Sequence, residues 1–247
     1  MRERLLSANG AELWVAEQGT GIPMMLCNGG PGCCDYLGTV AECIDDVAQV
    51  YRFEPRGCGR SSSAGPYDLP TTLADLEALR VALGHVRWVV GGHSWGADLA
   101  LAYALEYPKH VLALAYISGA GVQNDREWHA VYQAGRDAGR DQTPAFEYPV
   151  NLEVNRTGNA SWRRFIKGPM LLRRIADLNV PMLAVYGSED IRPSWPVEQI
   201  VHLMPNARYE LIEGAGHCVW LTHAPELRSL LGAFLREVSR PAGAESS

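Results

Sequence analysis

The pentapeptide Gly92-His93-Ser94-Trp95-Gly96 constrains this chain more than any other stretch. Before it, Arg87-Trp-Val-Val-Gly91 is an apolar run that reads as a buried strand. After it, Ala97 to Glu106 has helical periodicity and is closed by Pro108. Strand, G-x-S-x-G turn and helix together form the sharp elbow on which a serine hydroxyl is presented as a nucleophile. Side chains two positions either side of that serine would collide, which accounts for glycine at 92 and 96. In a chain with 25 glycines the pentapeptide alone is weak evidence, and its flanks make it specific.

The surrounding sequence repeats the alternation of strand and helix. Residues 4–8 and 11–17 alternate around Asn9-Gly10, the signature of a two-residue hairpin. Met24–Cys27, Gln49–Phe53, Val111–Ile117, Pro181–Tyr186 and Arg208–Ile212 read as further strands. Helices are expected over Thr71–Leu83, capped by Thr71 or Thr72 and stopped by Gly84, then near Val197–Leu203 and from about Pro225 to Val238. This order predicts an α/β fold with a mostly parallel central sheet, helices on both faces and an antiparallel hairpin at its start. Residues 121–172 break the rhythm. A polar helix over Asp125–Asp141 is followed by a segment interrupted by Pro144, Pro149, Gly158 and Pro169, read as irregular. An insertion after a parallel strand lies over the ligand-binding edge of such a sheet. The expected division is a core of 1–120 with 173–240, a short cap insertion at 121–172 and a disordered tail at 241–247.

A length of 247 residues suits one large α/β domain. The formal net charge of −6, with no Lys/Arg cluster, argues against a nucleic-acid partner. No apolar run approaches the ~20 residues of a membrane span, and the start lacks a secretory apolar core, so a cytoplasmic protein is expected. The six cysteines include no C-x-x-C pair, hence no zinc ribbon or dithiol redox motif is expected. Cys33 and Cys34 adjoin a glycine-rich loop and either line a pocket or are buried as small apolar residues.

A serine at its ordinary pKa needs a base, and the base needs an orienting acid. Of seven histidines, His217 ends Glu213-Gly-Ala-Gly-His217 after the last strand, where it can swing over Ser94. His223 is its main rival and His129 a distant third. His93 is expected to pack under the elbow, His85 and His110 lie at strand entrances, and His202 lies on a surface helix. For the acid, Tyr186-Gly-Ser-Glu-Asp190 follows the penultimate strand, giving Asp190 with Glu189 as the alternative. The reaction also needs donors for a developing oxyanion. The elbow offers the Trp95 amide, and a second donor is expected from Asn28-Gly29-Gly30-Pro31-Gly32. That loop has neither the Lys-Ser/Thr ending nor the G-x-G-x-x-G of nucleotide sites.

With Glu54-Pro-Arg-Gly-Cys-Gly-Arg-Ser61 added, these motifs resemble the α/β-hydrolases of the proline iminopeptidase type. The resemblance covers roughly 20–120 and 175–235. It implies an α/β-hydrolase fold, Ser94 as nucleophile, Asp190 and His217 as its partners, and Gly30 with Trp95 as oxyanion donors. Two departures stand out: Asn28 replaces the family's usual histidine, and the cap is short.

The reading is a serine hydrolase that cleaves a carboxylic ester or related acyl bond of a small molecule, with no metal or organic cofactor. The alternatives are an N-terminal-proline peptidase and, from another class, a lyase or ligand receptor on the same fold. Gly29, Cys34, Trp128 and Trp162 are the candidate substrate contacts. A peptidase would need carboxylates around the substrate ammonium. The insertion offers Asp125, Glu127, Glu147 and Glu153, but also a surplus of arginines and the aromatics Trp128, Phe146, Tyr148 and Trp162, which favour an apolar pocket. The sequence leaves the oligomeric state open.

Overall fold

The computed structural model describes residues 1–122 and 126–240, so the expectations for Asp125 and for the 241–247 tail fall outside the described residues. Its strands are β1 (Arg2–Ala8), β2 (Ala11–Gly19), β3 (Ile22–Cys27), β4 (Ala48–Phe53), β5 (Trp88–His93), β6 (Val111–Ile117), β7 (Met182–Gly187) and β8 (Ala207–Ile212). They form one eight-stranded sheet in the order β1-β2-β4-β3-β5-β6-β7-β8. β1–β2 and β2–β4 are antiparallel, and every later pairing is parallel. The opening hairpin turns at Asn9 and Gly10, whose φ values of 49° and 74° fit the primed turn expected of Asn-Gly.

The helices are α1 (Gly38–Glu42), α2 (Leu69–Ala82), α3 (Trp95–Glu106), α4 (Arg126–Asp137), α5 (Leu152–Phe165), α6 (Leu171–Ala176), α7 (Trp195–Leu203) and α8 (Ala224–Val238). Strand alternation sorts the core into two layers. Met25, Cys27, Val90 and Leu114 pack with Leu76, Leu101, Ile175 and Val197, which places α2, α3, α6 and α7 on one face. Met24, Leu26, Val89 and Ala113 pack with Val40, Leu227, Leu231 and Phe234, which places α1 and α8 on the other. Each fully buried aliphatic side chain here contributes about 2 kcal/mol. None of the described helices is long and apolar enough to cross a membrane.

Two local expectations are corrected. α2 is capped by Asp68, not by Thr71 or Thr72: the Asp68 carboxylate accepts from the Thr71 N–H at 3.0 Å, and Pro70 occupies the first turn. The segment read as irregular contains the fourteen-residue helix α5, which runs straight through Gly158. Asn151 caps it, accepting from the Glu153 and Val154 N–H groups. A Cβ at 158 would lie 2.8 Å from the Pro31 Cβ, so the glycine serves close approach of α5 to the 28–32 loop. That contact offsets the roughly 1 kcal/mol that glycine costs inside a helix.

Candidate active site

Parallel strands bring the loops after β3, β5, β6, β7 and β8 to one edge, and the candidate residues gather there. Ser94, between β5 and α3, has φ 58° and ψ −128°, a conformation that costs a non-glycine residue about 1–3 kcal/mol. Its amide is anchored to the Ile117 carbonyl at 2.9 Å. A Cβ at 92 would sit 2.3 Å from the Gly96 backbone, and one at 96 would sit 2.1 Å from the Cys27 carbonyl oxygen. Both glycines of the elbow are therefore obligatory on steric grounds. α3 begins at Trp95, so its positive end lies under the serine.

Asp190, after β7, and His217, after β8, meet through Oδ2 and Nδ1 at 2.6 Å. Both side chains are withdrawn from solvent, at 0% and 5% exposure. Burial alone would raise the Asp190 carboxyl, but His217, its hydrogen bond and Arg192 outweigh it and hold the group below the usual carboxylate range. Burial, only partly opposed by Asp190, pulls the His217 imidazole below the ordinary histidine value, so it is neutral near pH 7 and available as a base. Arg192 donates to Asp190 Oδ1 from its backbone at 3.0 Å and from Nη1 at 3.2 Å. Glu189 is exposed, with its backbone N–H bound to the Ala215 carbonyl. The His223 ring is beside Gly214 and Thr222, and His129 is on α4 at the cavity rim.

His93 does pack under the elbow, and it joins three segments. Its Nε2 is 3.0 Å from the His217 carbonyl and its Nδ1 is 2.7 Å from the Tyr36 hydroxyl. A carbonyl only accepts, so Nε2 carries the proton. Burial, with His217 next to it, holds His93 well below the ordinary pKa, and a neutral ring then accepts at Nδ1 from Tyr36. The same hydroxyl accepts from the Gly29 N–H at 2.7 Å. The His93 and His217 rings are 4.5 Å apart between centroids. Gln142, in the connection after α4, accepts from the Cys218 N–H at 3.3 Å and abuts Gly216, bracing the His217 loop.

Ser94 opens on a cavity of about 310 Å³ lined by Gly30, Trp95, Trp128, Tyr132, Trp162 and Arg163, among others. The structure thus brings Gly30, Trp95, Trp128 and Trp162 to the serine. Gly29 and Cys34 lie outside that lining: the Gly29 amide is bound to Tyr36, and Cys34 is 1% exposed with its thiol near the Tyr148 carbonyl. Tyr36, Gln142, Arg192 and Asp98, which also lines the cavity, were not singled out by the sequence. Only the periodicity of α3, which turns Asp98 one turn beyond Ser94, carried a signal for any of them. Among the described residues no three His, Cys, Asp or Glu side chains gather as a metal site.

The model of the alpha/beta hydrolase fold family matches residues 22–148, just over half of the chain. A proline iminopeptidase of Xylella fastidiosa is 38% identical over 122 residues, which span 47% of this chain and 37% of that protein. The chain therefore aligns with well under half the length of that relative. A proline iminopeptidase of Lactobacillus delbrueckii subsp. lactis is 27% identical over 90% of this chain and 92% of its own. Among solved structures, a thermophilic esterase from Thermogutta terrifontis superposes with a TM-score of 0.78 at 19% identity, covering 97% of this chain and 100% of that one. That identity speaks for the fold alone. With the elbow, the sheet order and the matched family model in agreement, this chain belongs to the α/β-hydrolase fold family.

Proposed function

We propose that this protein is a serine hydrolase that cleaves a carboxylic ester or related acyl bond of a small molecule. The observation that carries the reading is the buried Asp190–His217 contact of 2.6 Å, formed on the loops flanking a strained serine elbow. Asp190 holds His217 with Nδ1 protonated, which leaves Nε2 as the base that takes the Ser94 proton. The Ser94 oxygen adds to the acyl carbonyl. The Trp95 and Gly30 amides stabilise the oxyanion, with α3 adding its positive end. Collapse of that intermediate expels the leaving group, protonated by His217, and leaves an acyl-enzyme. Water activated by the same imidazole then releases the acid. Residues 121–172 act as a cap, with α4 and α5 supplying the apolar wall at Trp128 and Trp162.

The names of the sequence relatives favour a second reading, an aminopeptidase acting on N-terminal proline. Such a substrate brings an ammonium group that requires carboxylates. Glu127, Glu147 and Glu153 are exposed and do not line the cavity beside Ser94. This weighs towards the ester.

The test is one preparation assayed on short p-nitrophenyl esters, lactones and prolyl arylamide, with Ser94→Ala as control. The expected result is a higher kcat/KM for esters, after correction for intrinsic reactivity. A prolyl arylamide preference that Glu127→Gln or Glu153→Gln removes would install the peptidase reading. Ligand binding without turnover of any substrate would favour a receptor.

A further inference from the structure

The cavity beside Ser94 carries a charge imbalance that ester hydrolysis by itself does not require. Among the described residues, its Asp, Glu, Lys and Arg side chains are Asp98, Arg163 and Arg192. Asp98 is 1% exposed and accepts from the Tyr116 hydroxyl and from the Gly121 and Ala120 N–H groups. Burial raises its pKa to about 7, so near neutrality it brings less than a full negative charge. Arg192 is neutralised in place, with Nη1 3.2 Å from Asp190 and 3.0 Å from Asp141.

Arg163 is different. No ion pair or hydrogen bond to a described residue holds it, and it stands exposed on α5 at the cavity rim. Asn155, Asn159 and Arg163 form one i, i+4 row along that helix. Asn155 donates to the Pro31 carbonyl at 2.8 Å and Asn159 to the Asn155 carbonyl at 2.9 Å. The row therefore starts on the 28–32 loop and ends at Arg163, an exposed cation that lines the cavity and pairs with no described residue. Trp95, Trp128, Tyr132 and Trp162 line the same cavity as Ser94 and Arg163 and supply it with apolar surface.

We infer that the substrate carries a carboxylate on an apolar or aromatic segment, and that Arg163 is the residue that selects it. The inference rests on the proposed hydrolase reading for its kinetic consequence but not for binding. A guanidinium accepts a carboxylate through two parallel N–H donors, in a geometry that neutral esters cannot exploit equally. The same charge repels an ammonium-bearing substrate, which meets no free carboxylate among the described residues of the lining.

Two measurements test this separately from the catalytic assignment. In the first, binding of 3-phenylpropionate and 3-phenylpropionamide is followed by tryptophan fluorescence, which the three lining tryptophans should report. Wild-type protein should bind the acid about tenfold more tightly, less so as salt screens the contact. Arg163→Gln should abolish the preference and Arg163→Glu reverse it, whereas Arg164→Gln, whose side chain lines a separate groove, should preserve it. In the second, kcat/KM is compared for mono-p-nitrophenyl glutarate and its methyl-capped diester. The ratio should favour the free acid about tenfold in wild type and fall to about one in Arg163→Gln. Equal binding of acid and amide by the wild type, or an acid preference that survives Arg163→Gln, overturns the inference. Failure of all ester turnover with the binding preference intact would remove the hydrolase reading and leave this one standing.

Discussion

The Tyr36 hydroxyl stands 2.7 Å from His93 Nδ1, and the same oxygen accepts from the Gly29 amide at 2.7 Å. One phenol thereby ties the loop that bears Gly30 to the residue before Ser94, and His93 extends the tie to the His217 backbone. The three segments proposed to supply oxyanion donor, nucleophile and base are held by a single buried relay. Its polar groups are satisfied in only one tautomer of His93.

Tyr36→Phe removes the donor to His93 and the acceptor of Gly29 at once. Leaving two buried groups unsatisfied costs about 1–3 kcal/mol each, so thermal unfolding should shift downward by several degrees. Turnover of an activated ester should fall about tenfold, with KM less affected. Unchanged kcat and melting temperature would show that the relay is idle.

Ser94→Ala should lower turnover on the order of 10⁴ or more, because members of a triad act as a unit. Covalent labelling by a fluorophosphonate should vanish in the same variant. Retention of more than about a tenth of wild-type activity, where triad logic expects near-total loss, would sink the assignment of the nucleophile.

His217→Ala should be as damaging as Ser94→Ala, while His223→Ala should be nearly silent, since the His223 ring lies beside Gly214 and Thr222. Circular dichroism would establish that both variants fold. The opposite ranking would move the base to His223.

Asp190→Asn should preserve the fold and reduce turnover by about 10⁴, because the amide no longer holds Nδ1 protonated. The pH profile gives a second readout. Burial already lowers the His217 pKa, so the acid limb of kcat/KM should lie below the ordinary histidine value near 6.5. Asp190 raises that pKa, hence its loss should move the limb still lower in the residual activity. An acid limb above 6.5 in the wild type, or a large loss from Glu189→Gln instead, would contradict the assignment.

Asp98 offers a test of stability with a defined sign. Its folded pKa, raised to about 7 by burial, exceeds the ordinary 3.8, so its contribution is present below 3.8 and lost as pH climbs through 7. Asp98→Asn does not titrate. The melting temperature of the variant minus that of the wild type should therefore rise between pH 4 and pH 8. A flat difference would mean that Asp98 is ionised in the folded protein throughout.

The sequence by itself determined the features that depend on neighbours along the chain. Asn9-Gly10 dictates a primed hairpin, apolar runs mark the buried strands, and Gly92 is required because its Cβ would meet Gly96 in the same turn, whereas Gly96 answers to the Cys27 carbonyl on β3. The approach of Asp190 to His217 was legible for a related reason. Each residue directly follows a strand, and parallel strands must deliver such residues to the same edge of the sheet. Tertiary structure alone decided the contacts between distant segments. Tyr36 meets His93 across 57 residues and Gln142 meets Cys218 across 76, and no periodicity marks such partners. The same holds for α5: glycine and flanking prolines argue locally against a helix, and packing of Gly158 on Pro31 overrides them. Propensities of about 1 kcal/mol per residue yield to burial and close approach, which exist only once the chain has folded.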